Sequence, residues 1–76
     1  MKKLRFAILS GLVQSGHGKT ISQILNDAGF EYTSSQLKAA SKHLEMLGLV
    51  RLAQRQEDFT AEVTPFGKEV LASVTA

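Results

Sequence analysis

The chain has 76 residues, 43% of them hydrophobic and 21% charged, with a net charge of +2 at neutral pH and no cysteine. That length suits one domain over residues 1–76 with a modest core. The lack of cysteine excludes disulfides, thiolate zinc sites and cysteine nucleophiles, and no apolar run approaches the roughly 18 residues that span a bilayer.

Met1-Lys2-Lys3-Leu4 imitates the start of a signal peptide, but Arg5, Ser10 and Gln14 are too polar for its hydrophobic region. A cytoplasmic location without membrane contact is the expectation. Leu4, Ile8, Leu9, Leu12 and Val13 recur at helical spacing and predict a first helix over residues 3–15. Ser15-Gly16-His17-Gly18 ends it. Thr20 with Gln23 has the form of a capping box for a second helix. Ile21, Ile24, Leu25 and Ala28 are its expected buried stripe, and Gly29 its left-handed end.

After the connector Phe30-Glu31-Tyr32, Thr33 and Gln36 repeat the capping pattern. Leu37, Ala40, Leu44 and Leu47 are expected to face inward along a third helix over residues 34–47, which Gly48 ends. Residues 49–53 and 59–63 read as two strands. In the second, Phe59, Ala61 and Val63 alternate with Thr60 and Glu62, so one face is buried. Gln54–Asp58 has hairpin-loop length. Thr64-Pro65 starts a last helix that Phe66, Val70, Leu71 and Val74 would pack on the core. The expected fold class is α+β, mainly α: three helices, a β-hairpin and a C-terminal helix. That order is the winged form of the helix-turn-helix.

Charge is unevenly spread. Residues 1–55 hold eight Lys or Arg against three acids, a net +5, and residues 56–76 hold one Lys against four acids, a net −3. The basic part is the one expected to meet an anionic partner. Ser34, Ser35, Gln36, Lys38, Ala39, Lys42 and His43 avoid the buried stripe of the third helix. Gln can pair with adenine, Ser with several base edges, and Lys with guanine or phosphate, while Ala39 permits close approach. The bland alternative is a solvated helix face.

Leu44-Glu45-Met46-Leu47-Gly48-Leu49-Val50-Arg51, a leucine-rich helix end followed by Gly-Leu-Val and a basic residue, resembles winged-helix regulators of the MarR and ArsR type in bacteria and phages. Thr64-Pro65-Phe66-Gly67-Lys68-Glu69-Val70-Leu71 is similar to their Leu-Thr-x-x-Gly-x-x-x-Leu segment after the wing. The chain also resembles small winged-helix proteins of Mu-like phages, over residues 4–74. The resemblance implies a DNA-binding transcriptional regulator, with the third helix in the major groove. Lys19, Arg51 and Arg55 would be accessory phosphate contacts, and a homodimer is an allowed assembly. In such regulators the wing tip is often basic. Here Arg55 stands beside Glu57 and Asp58, which phosphate would repel.

Gly16-His17-Gly18-Lys19-Thr20 ends like a phosphate-binding loop, but the first glycine of that motif would fall at Val13 and the preceding segment is helical in period. No serine or histidine has an evident catalytic partner, and His17 and His43 alone do not make a metal site. The expectation is a non-enzyme without cofactor or metal. Double-stranded DNA is the expected partner. The alternative is a protein-interaction module on the same scaffold, anchored by Phe6, Phe30, Tyr32 or Phe66.

Overall fold

Thr20 and Thr33 each close a capping box, and these two local events set where the second and third helices begin. The Thr20 hydroxyl accepts from Gln23 N–H at 3.3 Å while Gln23 Oε1 accepts from Thr20 N–H at 2.9 Å. The Thr33 and Gln36 pair repeats this at 3.1 and 2.9 Å. Each box satisfies two backbone donors that a helix start leaves open. The computed structural model describes residues 2–15 and 18–75. Its elements are α1 (Lys3–Ser15), α2 (Ile21–Asp27), α3 (Ser34–Met46), β1 (Val50–Arg55), β2 (Asp58–Val63) and α4 (Pro65–Thr75).

The ends of α2 and α3 match as well. Gly29 and Gly48 take φ of 76° and 77°, the left-handed conformation that glycine adopts without steric cost. Behind them Phe30 N–H donates to Leu25 at 2.9 Å and Leu49 N–H to Leu44 at 3.0 Å. These are the long bonds of the Schellman motif. The second one turns the chain directly from α3 into β1.

The strands pair antiparallel with Val50 opposite Val63 and Arg55 opposite Asp58. The hairpin loop is therefore only Gln56-Glu57, shorter than the expected Gln54–Asp58, because pairing continues to Arg55 and Asp58. Gln56 takes a positive φ of 58°, as tight hairpin loops require at their first position. Thr20 forms an isolated bridge with Thr60, so the entry to α2 runs beside β2. At α4, Gly67 N–H donates to the Thr64 hydroxyl at 3.0 Å, which in turn donates to the Gly48 carbonyl at 2.6 Å. Thr64 thus caps α4 and ties it to the end of α3.

One core joins these elements. It contains Ile8, Leu9 and Leu12 of α1, Ile21, Ile24 and Leu25 of α2, and Leu37, Ala40 and Leu44 of α3. Ala7 of α1, Leu49 just before β1, Val50 and Phe59 of the hairpin and Leu71 of α4 complete it.

Four residues expected inside, Ala28, Leu47, Phe66 and Val74, stand outside, as does Val13 of the α1 pattern. Ala28 and Leu47 are the C-caps of α2 and α3, where the chain has already turned off the buried stripe. Val13 and Val74 lie near helix ends and are about half exposed, and Phe66 projects from the first turn of α4 beside the core. Leu47 is 50% and Phe66 53% exposed. No described helix is long and apolar enough to cross a membrane.

Candidate nucleic-acid interface

At 3.6 residues per turn, the buried residues Leu37, Ala40, Ser41 and Leu44 occupy one side of α3. The opposite ridge carries Ser35, Lys38, Ala39 and Lys42, all exposed, and ends at Met46, 77% exposed. Lys42 leans toward the hairpin, with its ammonium 5.4 Å from the centre of the Phe59 ring. That is within cation–π range, and the head stays on the surface.

The remaining residues expected on this face divide between its two flanks. Gln36 and His43 lie on the α1 side. With Ala39 they line a groove of about 340 Å³ whose far wall holds Lys2 and Arg5. Gln36 Oε1 is engaged by Thr33 N–H in the capping box. Bidentate pairing of Gln36 with adenine needs both ends of its amide, so Oε1 would have to accept from the base as well as from Thr33, or the cap would open.

Ser34 lies on the hairpin side, in a groove of about 310 Å³ shared with Ser22, Tyr32, Arg55 and the hairpin turn. Arg55 is thus brought to the start of α3. Arg51 is not: it lines a different groove along the hairpin with Gly18 and Glu62, which Arg55 also borders. Each arginine faces an acid across the strands, Arg51 opposite Glu62 and Arg55 opposite Asp58.

Lys19 is engaged elsewhere, in a salt bridge of 2.8 Å to Asp27 at the other end of α2. Gly16 and His17, which completed the phosphate-loop look-alike, lie outside the described residues. The segment before that loop is α1, a helix, and the described sheet is one antiparallel hairpin. A phosphate-binding loop instead follows a strand.

The acids of the hairpin do not act alike. Asp58 turns back onto α2. Its carboxylate accepts from the Ser22 hydroxyl, from Ser22 N–H at 3.3 Å and from Phe59 N–H at 2.8 Å. Partial burial opposes the charge, but hydrogen bonds from Ser22, Phe59 and Thr20 together outweigh it and hold the Asp58 pKa below its ordinary 3.8. On α3, Glu45 is drawn to the Leu52 N–H at 3.3 Å. Glu57 at the hairpin tip and Glu31 two residues before the α3 cap are exposed.

Lys2 and Arg5 were legible only as part of the basic bias of the first 55 residues. Helix 1 reads as a packing element, and nothing local shows that its first turn meets the flank of α3.

No family model, curated protein or solved structure matches this chain.

Proposed function

We propose that this chain is a winged helix-turn-helix protein that binds double-stranded DNA, with the Ser35–Lys38–Ala39–Lys42 ridge of α3 in the major groove. The observation that carries the reading is that ridge: small and cationic side chains, no acid among them, and Glu45 drawn aside to the hairpin. The layout of three helices, a two-stranded hairpin and a fourth helix is compatible with a winged helix. Lys2 and Arg5 on one flank and Arg55 on the other supply further cations. The inward turn of Asp58 removes one of the two acids that weigh against hairpin contact, leaving Glu57.

In this reading lysines supply affinity through phosphate, and Ser35 and Ala39 touch base edges. The test is duplex affinity measured across a salt series. Lys38→Ala should weaken binding similarly on all sequences and lower the salt slope by about one. Lys42→Ala should do the same and also lose its contact with Phe59. Absence of binding at low salt, or binding indifferent to both changes, ends the proposal.

A protein-interaction role keeps one specific observation in its favour: Phe66 and Leu47 are half exposed. Phe6, Phe30 and Tyr32 are partly buried against the core, so Phe66 is the aromatic with the most surface to offer.

A further inference from the structure

Leu47 and Phe66 do not stand alone. They edge a groove of about 450 Å³ that also contains Arg5, His43, Leu44, Leu49 and Val70. Leu44 and Leu49 are buried core residues and form its floor. The groove and the projecting Phe66 ring therefore share one surface, with the hole beside the knob. A twofold interface needs such an arrangement, since the same patch must serve on both partners.

The walls differ in charge. Arg5 stands on the α1 side, next to Lys2 in the adjoining groove. The α4 wall carries Phe66 and Val70. Glu69, three residues after Phe66, is exposed on the same flank by helical spacing, whereas Lys68 points to the other flank. A second copy rotated by half a turn brings its acidic α4 wall to this basic α1 wall. Two of the chain's own walls are thus opposite in charge, with an apolar groove and the half-exposed Phe66 ring between them.

We infer that this groove is the seat of a homodimer, in which Phe66 of each copy enters the Leu47–Val70 slot of the other and Arg5 of each meets Glu69 of the other. The inference does not rest on nucleic-acid binding. Its readout is the association state of the protein alone.

The experiment is sedimentation equilibrium on the full chain and on Arg5→Glu, Glu69→Arg and Phe66→Ser, each first shown to be folded by circular dichroism and thermal melting. The wild type should form a dimer. Each charge reversal should weaken self-association by at least about tenfold, because it sets like charges opposite one another twice in the twofold pair. Phe66→Ser should weaken it as well.

Mixing the two charge variants is decisive. An Arg5→Glu chain against a Glu69→Arg chain restores opposite charges at both contacts, so the mixture should dimerise more tightly than either variant alone. A contact within one chain cannot give that result. A wild type that stays monomeric at millimolar concentration overturns the inference and leaves the groove to a different protein. A dimer that neither reversal weakens uses another face and overturns it too, as does a mixture that associates no more tightly than either variant alone.

Discussion

Asp58 ties the hairpin to α2. It opens β2, and its carboxylate binds the first turn of α2, where unpaired N–H groups favour a negative charge. Its pKa lies below the ordinary 3.8. A depressed carboxylate contributes stability that is present above the unfolded value and lost as pH falls through the folded value. Asp58→Asn should therefore lose about 1–2 kcal/mol at neutral pH. In urea unfolding at a series of pH values, the gap to wild type should narrow below pH 3.8, as the native carboxyl takes up its proton. A gap constant with pH would mean that charge plays no part in the clamp.

Ser41 is the opposite case. It is fully buried in α3, and its hydroxyl has no hydrogen-bond partner. An unpaired buried hydroxyl costs free energy that alanine avoids. Ser41→Ala should raise stability by about 1 kcal/mol, read as a higher urea midpoint at unchanged slope. The sequence shows a small polar residue beside the leucine stripe. It does not show that this position is fully buried in the folded chain.

At the scale of the element, helix ends and turns were the most legible features. Thr20, Gly29, Thr33 and Gly48, and Thr64 in its bond from Gly67 N–H, cap helices through backbone groups close by in sequence, so their meaning travels with the local sequence. The hairpin was legible through its alternation, although its loop is shorter than composition suggested. Arg55 and Asp58 are polar but still paired, and polarity alone does not break a strand.

Gly67 is an element-scale constraint that sequence reading undervalued. A Cβ placed there would collide with the Leu49 carbonyl oxygen and would come within 2.8 Å of Val63 Cγ1. The glycine lets α4 lie directly on the start of the hairpin. Gly67→Ala should cost about 1–3 kcal/mol by overpacking. A calorimetric Tm equal to that of the wild type would show that α4 docks more loosely than this contact implies.

For the whole molecule, the uneven charge of the sequence becomes a division of surfaces. The outward ridge of α3 is cationic, the hairpin alternates arginine with acid across its strands, and α4 carries Glu69 beside an open apolar groove. The Lys19–Asp27 bridge is 39% and 62% exposed at its two side chains. It contributes little to stability, roughly 0–1 kcal/mol, but it engages the Lys19 ammonium within the chain. DNA binding through α3 and self-association through the Phe66 groove are separate proposals on adjoining surfaces, since Arg5 and His43 border both grooves. A duplex titration by itself would not separate them, and sedimentation without nucleic acid does.

The sequence alone determined the order of elements, the caps that bound them and most of the core, because those depend on backbone chemistry and periodicity over a few residues. It also showed which helix face is cationic. Only the tertiary structure decided which apolar residues are left uncovered and which charges remain available. Leu47 and Phe66 look like core residues in a helical pattern, yet the core closes beside them. Asp58 looks like a surface acid, yet it meets Ser22, 36 positions away. Both outcomes follow from how the helices and hairpin meet in space, and periodicity within one element carries no record of that.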